Sequence, residues 1–193
     1  VATGGAGEAL PSREPPKKSL AWTITERRST RRFQEVPVAL PDLAYLLSLA
    51  QGNSRAALTP GIELRVVAHR IRGLPPGLYR YVPESHELVL LRKGDLRGAL
   101  RRACLGQEMA SSAAAGVAMM ADVSRITRGG DRLYRDQLIE SGAIGQRLYL
   151  GAEVLGLSAR NLAAFLDGPF NRLLSADGRR EAVLHLTMVG AGD

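Results

Sequence analysis

Two spacings of apolar positions run through the chain and divide it into helices and strands. Leu43, Leu46, Leu47 and Ala50 recur at helical spacing behind Pro41, a residue suited to a first turn, and predict a helix from Pro41 to about Ala50. An earlier helix is predicted from an N-cap at Ser19 to about Arg28. Ile62, Leu64 and Val66 alternate with Glu63 and Arg65, which predicts a strand from Ile62 to Ala68 after a loop over Gly52 to Gly61. Leu78 to Tyr81 and Leu88 to Leu91 flank a turn at Pro83 to His86 and read as a hairpin. Asp95 to Arg102 and Gly106 to Ser112 read as helical pieces. Ala114 to Met120, nearly uncharged and including Met119, has the run of apolar residues expected of a buried central strand.

The longest helical pattern spans Asp131 to Leu155, with Leu133, Ile139, Ile144, Leu148 and Leu155 as its apolar face. Gly142, Gly145 and Gly151 interrupt it. Each costs about 1 kcal/mol against alanine inside a helix, so their presence implies close approach of a backbone, a second subunit or a ligand. Leu157 to Ala164 predicts a strand, Asp167 to Leu174 a short helix and Ala182 to Val189 a last strand. Residues 1–18, punctuated by Pro11, Pro15 and Pro16, read as an extended N-terminal arm, and residues 19–193 as one domain. Interspersed helices and strands with a hairpin predict an α+β class with a mixed sheet.

Composition narrows the functional classes. The net charge is +7, yet the only lysines are Lys17, Lys18 and Lys93, so arginine carries the basic balance. Arginine holds phosphate and carboxylate through a planar fork of donors. Aromatic residues make up 5% of the chain, too few for a base-stacking platform, so nucleic acid is an unfavoured partner. No apolar run approaches the roughly 20 residues of a membrane-crossing helix, so no membrane association is expected. A charged segment followed by an apolar core is not visible ahead of the domain, and a cytoplasmic location is the expectation. The single Cys104 reads as a small buried hydrophobe, and His69, His86 and His185 lack metal-ligand spacing.

The densest chemistry lies at the end of the first helix. Arg27-Arg28-Ser29-Thr30-Arg31 offers three guanidinium groups and two hydroxyls, a donor set that satisfies a phosphate dianion. The competing reading is a solvated basic turn.

This cluster, with Arg32-Phe33 and Val36 behind it, resembles the N-terminal signature of the nitroreductase superfamily. The resemblance continues through Gly77-Leu78-Tyr79-Arg80-Tyr81, Gly94-Asp95-Leu96, Gln107, Arg132-Leu133-Tyr134-Arg135, Glu140-Ser141-Gly142, Gly145-Gln146 and Gly156-Leu157. It ends with Phe165, Asp167, Leu173-Leu174 and Val189-Gly190, in the order found in SagB/ThcOx-type dehydrogenases. The resemblance implies a nitroreductase-like α+β fold, with a mixed, mostly antiparallel central sheet flanked by helices and a homodimer of the domain-swapped type. It implies FMN as cofactor at a site between subunits, with NAD(P)H as a possible electron donor and a small-molecule or peptide substrate. Arg27, Arg28, Ser29 and Arg31 would face the phosphate and ribityl chain. Ala163, Ala164 and Phe165 match the strand end that offers backbone amides to the flavin.

Several positions depart from that pattern. The segment Arg55 to Gly61 is shorter than the family's flavin-contacting loop, leaving Thr59 and Gly61 in its place. Arg128-Gly129 stands where azoline oxidases carry Lys-Tyr, and arginine is too basic to act as a general base near neutral pH. Ala163-Ala164 replaces Gly-Gly, and Asp193 stands near a position where a basic residue is common. The alternative is therefore a flavin-free homologue acting as a dimerisation or scaffold module.

Overall fold

The strand β7 (Ala115–Asp122) explains the architecture, because seven of its eight residues are buried. A strand in that position must have neighbours on both edges and helices on both faces. The computed structural model, which describes residues 7–51 and 61–192, provides both. Among the described residues β7 lies between β3 (Ile62–Ala68) and β9 (Glu181–Gly190). The hairpin strands β5 (Gly77–Val82) and β6 (Glu87–Lys93) extend the sheet beyond β3, and β8 (Ser158–Leu162) extends it beyond β9.

Every pairing within this sheet is antiparallel. Among the described residues, parallel pairing is confined to a small sheet of β2 (Val38–Ala39) with β4 (Ile71–Arg72) and to a bridge between Ser29 and Ala159. The mixed, mostly antiparallel α+β architecture expected from the sequence is thus present, with the parallel component outside the main ladder.

Alternate residues of the strands supply two separate cores, as a two-residue repeat requires. Val66, Ala68, Val117 and Met119 pack with Leu43, Leu46 and Leu47 of α2 (Leu40–Gln51) and with Ile144, Leu148 and Ala152 of α5 (Val123–Val154). Val67, Ala118, Met120 and Met188 pack on the other face, against α3 (Arg97–Ala103), α4 (Met109–Ser112) and α6 (Asp167–Leu173) through Leu100, Ala110 and Phe170. Leu43, Leu46, Leu47, Leu100 and Phe170 have no exposed surface, and each such burial contributes roughly 1.5–3 kcal/mol.

Three expectations need correction. The arm does contain a regular element: β1 (Glu8–Ala9) pairs with Leu88 and Glu87 at the sheet edge, and Leu10 is buried. The prolines break the chain only after this contact, which satisfies backbone groups of β6 that would otherwise meet water. The helical stretch before Asp131 was also not anticipated. Asp122 caps it by accepting from the Arg125 amide, and Gly130 (φ 69°, ψ −169°) breaks the helix just before the expected start. Ile139 does not join the apolar face of α5 and is 58% exposed. Five residues before Ile144, it is turned about 140° around the axis. Within the chain, close approach accounts for two of the three helix glycines. A Cβ on Gly145 would meet the Asn161 carboxamide and one on Gly151 the side chains of Leu46 and Leu49, while nothing lies within 4 Å at Gly142.

No helix among the described residues is long and apolar enough to cross a membrane.

Candidate functional site

Helix α1 (Leu20–Glu26) delivers the arginine cluster to the free edge of β8. Ser19 accepts from the Trp22 amide to start the helix, and Arg27 ends it with an extended backbone while its amide still donates to Thr23. The chain then runs beside β8: the Thr30 amide donates to the Ala159 carbonyl at 3.3 Å, and Phe33 and Gln34 reach Gly192 and Ala191 beyond β9. The turn is therefore anchored rather than merely solvated.

The four predicted phosphate residues take different positions. The Arg27 guanidinium lies over the Tyr149 ring, 5.0 Å from its centroid. The Ser29 hydroxyl is 2.9 Å from the Tyr149 hydroxyl. Arg31 is exposed and makes no hydrogen bond or ion pair among the described residues. Arg28 folds back onto the carbonyls of Thr25 and Arg27, so it is the member least available to a ligand.

At the other end of β8 stand Ala163, Ala164 and Phe165. Ladder bonding to β9 uses alternate residues, and the Asn161 amide turns outward to donate to Tyr149 at 3.0 Å. Ala163 follows the last ladder residue of β8, Leu162. The Ala164 carbonyl accepts from Gln107 at 3.2 Å, and the Phe165 ring meets Phe170 edge-on at 5.0 Å. Ala163 and Phe165 wall a groove of about 350 Å³ together with Ile126, Tyr134, Leu138 and Leu184, with Asp167 as its charged member. At about 3.3 Å per residue, Ala159 and Ala163 lie about 13 Å apart along β8.

A cationic, hydroxyl-bearing cradle beside one end of β8 and a groove walled by Ala163 and Phe165 past the other suit a mononucleotide with a flat ring. The donor set fits the phosphate, since at least two guanidinium groups and one hydroxyl are available to it. Arg160 adds a third positive group that the sequence did not single out: it donates to the Thr30 carbonyl at 3.1 Å, while its buried Nε has no partner.

The family model for nitroreductases matches residues 24–191, nearly the whole domain. The chain belongs to the nitroreductase family. Members of this family are oxidoreductases and generally use FMN. A relative in Methanocaldococcus jannaschii, provisionally named a nitroreductase, is 30% identical over 161 residues, covering 78% of this chain and 81% of its own. A crystal structure from Anabaena variabilis, provisionally named likewise, superposes with a TM-score of 0.84 at 31% identity. The match covers 89% of this chain but only 38% of the Anabaena chain. The trifolitoxin operon protein TfxC of Rhizobium leguminosarum is 35% identical over 75 residues, 38% of this chain and 21% of TfxC.

Other positions singled out in this nitroreductase-family sequence fall away from the groove. Arg128 lines a separate depression of about 460 Å³ with Glu63, Asp122, Arg180 and Glu181. Glu140 is buried and paired with Arg147 at 2.7 Å, a structural role. Burial pushes the Cys104 thiol up to about 12, which makes it a poor nucleophile. Burial holds the His69 imidazole down at about 4, and His69 faces the Ala113 carbonyl rather than the groove. Gly61 (φ 112°) abuts the Arg125 side chain, while Arg55 to Pro60, with Thr59, and Asp193 lie outside the described residues. Tyr149, Asn161 and Arg160 escaped sequence reasoning because no local pattern ties them to Ser29; only the packing of α5 and of the turn after α1 beside β8 does.

Proposed function

We propose that this chain is an FMN-dependent oxidoreductase of the SagB/ThcOx-type branch of the nitroreductase family. The observation that carries the reading is the placement of Arg27 and Ser29 against Tyr149 beside β8, with the groove walled by Ala163 and Phe165 past the other end of the same strand. The stretch of identity with TfxC supports the branch. FMN, when bound, supplies the redox chemistry, taking two electrons from NAD(P)H and passing them to a second substrate. The protein's part is to bind and orient. Arg27 and Arg31 would neutralise the phosphate, Ser29 would donate to it, and Ala163, Phe165, Ile126 and Leu184, which wall the groove, would hold the ring and exclude water from it.

The exposed side chains of Tyr134 and Leu138, four residues apart on α5, form an apolar strip at the groove. A second copy of the chain packed on this strip would cover it and close the site, consistent with a homodimer. Equilibrium dialysis with FMN tests the reading. Arg27→Ala and Arg31→Ala are each expected to weaken FMN by about 1.5–3 kcal/mol, the scale of a hydrogen bond to a charged group. An anaerobic titration with NADH and NADPH then identifies the donor. Absence of FMN uptake by the wild type refutes the proposal.

One observation favours a flavin-free scaffold as the second reading. Arg128 lines a depression away from the groove. A colourless dimer indifferent to added FMN is the outcome that selects it.

A further inference from the structure

Tyr149 is buried on α5, yet its hydroxyl reaches the open edge of β8 and meets two groups there. It accepts from the Asn161 amide, taking the place of the carbonyl that a continuing parallel ladder would supply. Its own proton then needs an acceptor, and the Ser29 oxygen at 2.9 Å is the acceptor at hand. The reverse arrangement, with Ser29 donating, leaves the buried tyrosine proton unsatisfied, a cost that native structures avoid. With Tyr149 donating, the Ser29 proton is free to point outward. The same ring carries the Arg27 guanidinium on its face.

Asn161 is held in turn. Its Oδ1 accepts from the fully buried Thr187 hydroxyl at 2.6 Å, and Gly145, one helical turn before Tyr149, leaves room for its carboxamide. A chain of contacts therefore runs from the sheet interior through Thr187, Asn161 and Tyr149 to Ser29 and Arg27.

We infer that Tyr149 is a positioning residue of the phosphate cradle: it aims the Ser29 hydroxyl proton at the ligand's terminal anion and fixes the plane of the Arg27 guanidinium. The inference rests on the FMN reading above and adds to it a residue that never touches the phosphate.

A double-mutant cycle tests it. Tyr149→Phe keeps the ring under Arg27 and removes only the hydroxyl. FMN affinity is measured by equilibrium dialysis for wild type, Tyr149→Phe, Ser29→Ala and the double variant, with thermal unfolding of each apoprotein alongside. Tyr149→Phe is expected to weaken FMN about tenfold, and the double variant no more than the weaker-binding single one, because both act through the same hydroxyl. Riboflavin, which lacks the phosphate, is expected to bind wild type and Tyr149→Phe within about twofold of each other. A change of less than about twofold for FMN, equal losses for FMN and riboflavin, or losses that multiply in the double variant would overturn the inference. Should Tyr149→Phe not fold, Thr187→Val releases Asn161 without touching the ring. It is then expected to weaken FMN about threefold while Ser29 is present and not in the Ser29→Ala background. A wild type that takes up no FMN removes the proposed function and this inference together; uptake with an unchanged Tyr149→Phe removes the inference alone.

Discussion

Gly142 and Gly145 lie in the same helix, one turn apart, and alanine at the two positions should act in opposite directions. Both substitutions gain the same helix propensity, about 1 kcal/mol, part of it through a less disordered unfolded chain. At Gly142 an added methyl meets nothing within 4 Å, so Gly142→Ala should stabilise the monomer by close to that full amount. At Gly145 the methyl would lie 2.8 Å from Asn161 Nδ2 and 3.0 Å from Oδ1. Asn161 cannot yield freely, because Oδ1 holds the Thr187 hydroxyl, which has no exposure to water. Displacing it leaves a buried donor unpaired at a cost of about 1–3 kcal/mol. Gly145→Ala should therefore range from neutral to about 2 kcal/mol destabilising. The difference between the variants, about 1–3 kcal/mol, cancels the shared propensity and isolates the Asn161 contact. Urea unfolding followed by circular dichroism at micromolar protein measures both midpoints. Equal midpoint shifts would refute the reasoning. Repeating the series at high protein concentration adds a test of the dimer, since a second copy packed on this face of α5 would shrink or reverse the gain at Gly142.

Two further outcomes follow from buried titratable groups. The folded His69 titrates near 4 because burial disfavours its charged form, while the unfolded residue titrates near 6.5. Stability from burying the neutral ring is thus complete above pH 6.5 and lost as pH falls toward 4, by roughly 3 kcal/mol in all. His185 and His86 are displaced in the same direction by burial and steepen the slope. Urea unfolding across this range should show the loss, and His69→Gln should flatten it; an unchanged slope in His69→Gln would contradict the assignment. Cys104, with its thiol raised to about 12 by burial, should resist iodoacetamide in the folded protein and react fully in urea. Mass spectrometry reads the result, and rapid labelling of the native protein would show that the pocket around Cys104 opens.

Local pattern was enough to locate the elements that build the core. Alternation in Ile62 to Ala68 and the apolar run at Ala114 to Met120 identify strands that are buried by design of their sequence, and Ser19 marks the start of α1. The arginine cluster was legible for the same reason, since its donors are contiguous. The break at Gly130 was visible only as a helix start, because a capped turn rich in arginine and ended by two glycines reads as loop.

What the sequence by itself determined, then, is whatever depends on neighbours a few residues apart: strand and helix periods, the caps, and a run of guanidinium groups suited to an anion. Only the tertiary structure decided that Ser29 meets Tyr149 120 positions later, that Arg160 joins the cluster from a strand, and that Arg128 opens onto a different depression from Ala163 and Phe165. These contacts arise where α5 and the turn after α1 pack beside β8, and a side chain's place in such a packing is set by the register and crossing of elements distant in the chain, which no local spacing encodes.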